Sequence, residues 1–423
     1  MRSAVDEIIR YNRGFDSYSL GVKLQRLTSS PFGFMRGTFH IFCRDIEDGP
    51  FRKWPVLDAA GPIVGDLHTE NFGAFRAITG DVVYDINDFD ETAAARYEFD
   101  LRRLTASLVL AALDSKLRLG DGVRAAEEAV RAYLETLIRV GRVKKRAGFA
   151  ELHDAKATHR LLNVAVEKSR IEMLRPMVAE STPGAWVLRS SEHYLPIEDR
   201  LRQAIVKALP AYLKTALAPK ASNPATYAFE DAAFRIAGCG SLGRRRFALL
   251  LGKGQAKRKG KAKPKGEALE TLRLVEWKDA LDSALDSKVQ RQSRGRAEYV
   301  VAQTLKFQLN PKRYLGYTAM AGRPMQAREI GANDARFAHK QFADPARFET
   351  AARIFGEITA RAHLLATLGK KGPRGLHQEL MGREDRFVNR LLSFAVAYTD
   401  RTYADYDDLI RRRDEVAKAW SKR

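Results

Sequence analysis

The sequence predicts an α+β fold in which a small β-rich lobe is set into a larger, mainly helical body. Three observations carry this. From Asp100 onward apolar residues recur at helical spacing, with Leu101, Leu104, Leu108 and Ala111 on one face and Val123, Ala126, Val130, Tyr133, Leu134 and Leu137 on a second helix over about 122–140. Between about 226 and 335 short apolar runs separated by glycine, proline and charged turns read as strands. Helical periodicity then returns over 346–369 and 384–420.

Each element follows in chain order. Pro50 and Pro55 break the chain after an aromatic-rich stretch at 31–46. Ile63-Val64 is an apolar stub that ends in the polar loop Gly65-Asp66-Leu67-His68-Thr69-Glu70-Asn71-Phe72-Gly73. Asp81–Asp85 (DVVYD) is a short strand after the Thr79-Gly80 turn. In the β-rich part, Phe229, Phe234 and Ile236 precede a glycine turn at 238–243. Phe247–Leu251 and Leu272–Lys278 give two further strands. A helix is expected over Ala297–Phe307, and a hairpin joins Tyr314–Met320 to Met325–Ile330 through Ala321-Gly322-Arg323-Pro324. The expected units are 1–225, 226–335 as a nucleotide-binding lobe, and 336–423 as helices packed on the helical body. No internal repeat is visible.

Composition narrows the function classes. Of 423 residues 45% are apolar and 30% charged, enough for a sizeable core and too ordered a balance for global disorder. Two cysteines, Cys43 and Cys239, make no disulfide framework and no metal-type pair. No apolar run approaches the roughly 20 residues of a membrane span, and the N-terminus turns acidic before any signal-like run develops. A cytoplasmic protein is expected. The net charge of +21 is uneven: residues 1–100 carry 11 basic and 16 acidic side chains, the remainder 62 and 36. Such a chain attracts polyanions without specificity. Lys253–Lys265 places seven basic residues in thirteen and reads as a solvated loop with polyanion contact as its functional alternative.

Three constellations carry chemistry. In GDLHTEN an Asp is followed five positions later by an Asn. That is the spacing of a phosphotransfer loop, where Asp66 would accept the acceptor's proton and Asn71 would hold Mg²⁺. Ordinary turn chemistry explains the same residues. His68 between them orients the loop or joins a metal site. The second constellation is Asp81, Asp85, Asp88, Asp90 and Glu91, five carboxylates in eleven residues, which repel unless a cation sits among them. Asp88 and Asp85 are the candidate metal ligands, and Asp90 a loop support; a solvated acidic turn is the alternative. The third is Gly238, Gly240, Ser241 and Gly243 between two strands, followed by Lys278 on a third and Glu298 opening a helix twenty residues on. A glycine loop in a hairpin can cover ATP phosphates, with Lys278 neutralising them and Glu298 pairing that lysine; a lone glycine turn and a strand-end lysine are the bland counterpart.

GDLHTENFG, DINDFDE and EFDLRRLTASL together resemble the bacterial domain-of-unknown-function family 2252. GCGSLGRRRFALLL, VEWKDA, QAREI, ARAHLLA and FAVAYTDRTYADYDDLIRR extend the resemblance over nearly the whole chain. The family is similar to protein-kinase-like and aminoglycoside-phosphotransferase-like folds, which implies two lobes and a helix opened by Asp100-Leu101. Val64 stands where those loops place a His. The resemblance also implies a circular permutation, because the catalytic loop and metal Asp here precede the glycine loop, Lys and Glu. Permutation is tolerable when the new breaks lie at the surface.

The expected function is thus an ATP- and Mg²⁺-dependent phosphotransferase acting on an acceptor the sequence does not name. Alternatives are a nucleotide-binding pseudokinase or regulator, a metallophosphoesterase, which would need histidine boxes absent among eight histidines, and a basic nucleic-acid-binding protein, for which no recognition motif is present.

Overall fold

The structure, a computed structural model, describes all residues except 1–2, 16, 53, 55–57, 141–142, 144, 153–167, 183–184, 219–222, 254–268, 287–292, 369–371 and 422–423. It is a mixed helix and sheet protein with several antiparallel sheets. Among the described residues no helix is long and apolar enough to cross a membrane.

Four short helices open the chain: α1 (Ala4–Tyr11), α2 (Ser17–Leu27), α3 (Pro31–Gly37) and α4 (Phe39–Glu47). Ser3 caps α1 by accepting from Asp6 N, and Ser30 caps α3 by accepting from Gly33 N. These helices are too short to show a sustained period, so the sequence alone leaves this part unassigned. β1 (Ala60–Ile63) pairs antiparallel with β4 (Ala93–Arg96). Between them β2 (Phe72–Arg76) and β3 (Val82–Ile86) form a hairpin.

α5 (Glu98–Asp114) is buried on nearly every side, from Glu98 to Ala112, and forms the centre of the helical body. α6 (Leu119–Val140) packs on it. Beyond it come α7 (Arg170–Leu174), the hairpin β5 (Val178–Thr182) and β6 (Ala185–Leu188), the short β7 (Tyr194–Leu195) and α8 (Asp199–Thr215). β8 (Tyr227–Arg235), β9 (Arg246–Lys253) and β10 (Arg273–Asp279) follow, then α9 (Arg296–Phe307), β11 (Gly316–Met320), β12 (Arg323–Glu329) and β13 (Ala335–Arg336). α10 (Pro345–Ala366), α11 (Gly372–Leu380), α12 (Glu384–Arg411) and α13 (Arg413–Ser421) end the chain. α10 and α6 approach so closely at Gly356 that a Cβ there would lie 2.0 Å from Ala129 O.

The largest sheet has the order β11-β12-β10-β9-β8-β7, all antiparallel. It reaches back before residue 226 to take in β7, and α8 covers its outer face. The β-rich unit therefore starts earlier than the composition change suggests, and the expected boundary at 226 falls inside it. The period of two explains its two faces. Phe247, Leu249, Leu251, Val275, Trp277 and Ala327 pack against Ile205, Leu209 and Tyr212 of α8. Burial of each such large side chain is worth about 1.5–3 kcal/mol. The opposite face carries Ala248, Leu250 and Leu274 toward β5 and β6. It also carries Arg246, Glu276, Lys278, Gln326 and Arg328, with Lys278 facing Arg246 and Gln326 in register and Glu276 facing Arg328. Those polar residues look across a cleft at the loops around Asp66 and Asp88. Of the basic segment Lys253–Lys265 only Lys253 lies inside the described residues.

Candidate functional site between the glycine loop and the Asp66 loop

The loop after β1 is positioned from α5. Asp100 Oδ2 accepts from Val64 N at 2.7 Å and Asp100 Oδ1 from Gly65 N at 2.9 Å. His363 Nε2 lies 3.0 Å from Asp100 Oδ2 and its Nδ1 3.0 Å from Tyr133 Oη, all buried. Gly65 has φ +99°, and a Cβ there would sit 2.3 Å from Glu91 O, so only glycine brings this loop against the acidic segment.

Asp66 follows. Its Oδ1 accepts from Arg103 Nε at 2.8 Å, while Oδ2 lies 4.0 Å from His68 Nε2. Arg103 is itself fixed by donating to Met35 O. Burial pushes the Asp66 carboxyl up to about 6, against the pull of Arg103. His68 is buried and held neutral by that burial and by Arg36 and Arg103, and its Nδ1 has no hydrogen-bond partner among the described residues. Asn71 Nδ2 donates to Asp66 O. The amide orientation thus commits its nitrogen to the loop and leaves Oδ1 available as a ligand.

Beyond β3 the carboxylates part company. Asp85 is turned inward, where Arg361 of α10 lies 2.9 Å away, and it does not line the cavity. The structure thus sets Asp85 against Arg361 and apart from Asn71 and Asp88, the other two expected ligands. Asp88 keeps 24% of its side chain open, and Lys278 Nζ lies 3.9 Å from it. Burial alone would raise the Asp88 carboxyl, but Lys278 and Arg328 bring it below the usual carboxylate range. Asp90 is held by Lys278, Gln326 and Arg244, tying the loop to the sheet. Glu91 accepts from Arg244 at 2.6 Å and from Ala284 N at 2.8 Å. Asp81 is exposed at the far end of the hairpin.

The glycine turn between β8 and β9 arrives from the other side. Gly238 and Gly243 have φ of +84° and +98°. Gly240 O accepts from Lys23 at 2.9 Å, and Ser241 Oγ accepts from Arg246 Nη2 at 2.7 Å. Lys23 is buried, also donates to Asn12 Oδ1, and is brought down to about 7 by loss of water. A Cβ on Gly240 would lie 4.0 Å from Asp66 Oδ2, so the turn sits directly over that carboxylate. Gly243 is turned onto Phe15 and away from the cavity.

Asp66, His68, Asn71, Asp88, Asp90, Gly238, Gly240 and Ser241 line one cavity of about 60 Å³. Lys278 lines an adjoining one of about 30 Å³ that shares Asp88 and Asp90. Glu298 is not among them. It is exposed on α9 and hydrogen-bonds Tyr317, so the expected Lys278–Glu298 pair is replaced by Lys278 with Asp88 and Asp90. Residues that sequence reasoning passed over also line the first cavity: Tyr11, Arg36, His40, Arg244 and Arg336. Arg103 had a signal, since it sits three positions after Asp100 on one helix face; the others come from short elements with none.

Chemically the site offers a carboxylate oxygen at Asp66, and Asn71 and Asp88 as oxygen donors beside a cationic strand. Among the described residues no group of three or more His, Cys, Asp or Glu could hold a metal by itself. Two protein oxygens fit Mg²⁺ when phosphate oxygens and water complete the shell.

No curated protein and no solved structure matches the chain. A family model described as uncharacterized proteins conserved in bacteria matches residues 16–412. On that match over nearly its full length, the chain belongs to the DUF2252 family.

Proposed function

We propose that the chain is an ATP- and Mg²⁺-dependent phosphotransferase with a circularly permuted, protein-kinase-like arrangement. One observation carries the reading. Asp66, Asn71 and Asp88 come from the first hundred residues and the glycine turn and Lys278 from beyond residue 237, yet they line two adjoining cavities. In this reading Asp66 takes the proton from the acceptor hydroxyl as that oxygen attacks the γ-phosphorus. The glycine-turn amides and Lys278 balance phosphate charge. Asn71 and Asp88 would hold Mg²⁺, which when bound neutralises phosphate oxygens. Arg103, fixed on Met35 O, keeps Asp66 in place.

A second reading is a nucleotide-binding regulator without transfer. It is favoured by Lys278, which already pairs with Asp88 and Asp90, and by a cavity at Asp66 too small for a whole nucleotide.

Thermal shift with ATP, with and without Mg²⁺, followed by a phosphate-transfer assay, separates these readings. Mg·ATP should raise Tm more than ATP with EDTA, since a ligand at 100 times its Kd adds about 2.7 kcal/mol. Shifts unchanged by EDTA would remove the metal assignment, and binding without turnover over a broad acceptor panel would favour the regulator.

A further inference from the structure

Two cavities meet in the cleft. The smaller holds Asp66, Asn71 and Asp88; the larger, about 430 Å³, lies between β2 and the charged face of the large sheet. The larger is within the range of about 300–1,000 Å³ that takes a small ligand. Two residues line both cavities, Gly238 and Arg336, and so mark the neck between them.

The charge around that neck is lopsided. The larger cavity has three carboxylates, and each is already engaged: Glu276 by Arg235, Arg246 and Arg328, Glu329 by Arg313, and Asp334 by Lys312. Arg336 differs. Among the described residues its side chain forms no hydrogen bond or ion pair, and it is open to the cleft. The cations Arg36, Arg246 and Arg328 stand near it, opposed by the carboxylates of Asp88 and Glu70. Its backbone is firmly mounted. Arg336 pairs with Gly73 in the β13–β2 ladder, two residues after Asn71. A Cβ on Gly73 would lie 2.3 Å from Ala335 O, so the two strands meet at a contact only glycine allows. A planar guanidinium held on a strand and facing excess positive charge is suited to bidentate binding of phosphate oxygens.

We propose that Arg336 receives the terminal phosphate of a nucleoside triphosphate at the neck between the two cavities, and thereby sets a preference for triphosphate over diphosphate. This rests on the phosphotransferase reading. The nucleoside and inner phosphates occupy the larger cavity, and the γ-phosphoryl group passes Gly238 to face Asp66. In the transfer a bond forms between the acceptor oxygen and the γ-phosphorus, and the bond from that phosphorus to the β–γ bridging oxygen breaks. The acceptor proton goes to Asp66, and the nucleoside diphosphate leaves with the electron pair. Arg336 exchanges no proton; it offsets charge on the equatorial oxygens.

The test is calorimetric titration of the full chain, the Arg336→Ala variant and the Arg336→Lys variant with Mg·ATP, Mg·ADP and Mg·tripolyphosphate. The wild type should favour ATP over ADP by about tenfold or more, as a charge-assisted fork to one further phosphate allows. Arg336→Ala should bring that ratio near one with ADP affinity little changed, and Arg336→Lys should recover part of it, because it keeps the charge and loses the fork. An unchanged ratio in Arg336→Ala overturns the inference. Tripolyphosphate binding that depends on Arg336, with no nucleotide binding, supports the phosphate role and removes the nucleotide reading. Binding of none of the three by the wild type overturns both.

Discussion

Asp66 and Asp88 lie on one cavity wall with opposite electrostatics, and that difference separates their roles. Burial carries Asp66 to about 6, so under the proposed reading, in which it accepts the proton, it is ionised and competent at neutral pH and loses that capacity in acid. The expected pH–rate profile therefore falls as the pH drops through about 6. Asp66→Asn should cut turnover about 10²–10⁴-fold while Mg·ATP affinity stays within a few-fold; a variant with normal turnover would assign the base elsewhere. Asp85 supplies the contrast. Asp88→Asn should weaken Mg·ATP binding with a small change in Tm, because Asp88 is partly open. Asp85→Asn strips a buried guanidinium, Arg361, of its charge partner, and breaking a buried pair costs about 3–5 kcal/mol. Denaturant melts and nucleotide titrations of the two variants should give opposite orderings.

At the scale of elements, the glycine turn is held from outside its own hairpin. Lys23 from α2 holds Gly240 O, and Cys239 Sγ donates to Gly33 O at 3.5 Å in α3. The N-terminal helices thus set how far the turn stands above Asp66. Gly243 is the most constrained point: its φ is +98° and a Cβ would lie 2.2 Å from Phe15. Gly243→Ala should cost about 1–3 kcal/mol, read as a lowered urea midpoint. A neutral result would mean Phe15 moves freely and the turn is not clamped there. The charged sheet face works with this clamp, because alternation along β10 sends Glu276 and Lys278 into the cleft and Trp277 into the core behind it.

Across the whole molecule a polar chain ties the site to distant elements. Arg36 pairs with Glu70 at 2.8 Å, Glu70 faces His339 Nδ1 at 3.4 Å, and His339 Nε2 lies 2.7 Å from Asp114 at the end of α5. Burial would lower His339, but Asp114 and Glu70 outweigh it and raise it above the usual 6.5. A raised folded value means that the charged histidine contributes stability fully below about pH 6.5, and that this contribution is lost as the pH rises through the folded value. The Tm difference between wild type and His339→Gln should therefore be largest near about pH 6 and shrink toward about pH 8.5. A difference that is flat or grows with pH would mean His339 is not charged in the fold.

Much of this protein is written locally. The turn at Gly65–Gly73, the strand at Val82–Ile86 and the glycine turn at 238–243 follow from turn formers and a period of two. So does the hairpin of Gly316–Met320 with Arg323–Glu329, while the helix Arg296–Phe307 follows from a period of 3.6. Those signals need only neighbours in the chain. The partners of the charges needed more. Five carboxylates between Asp81 and Glu91 are equivalent as a string, yet one meets Arg361, one stays partly open, two are bound by Arg244, and one lies exposed. Lys278 took Asp88 and Asp90 over Glu298, and Arg336 reached the cavity on a strand two residues long. Local periodicity shows which residue faces inward. It cannot show which charge will be there, because ionic pairing depends on separations of a few ångströms in a dehydrated interior, and those are set only when segments hundreds of residues apart pack together.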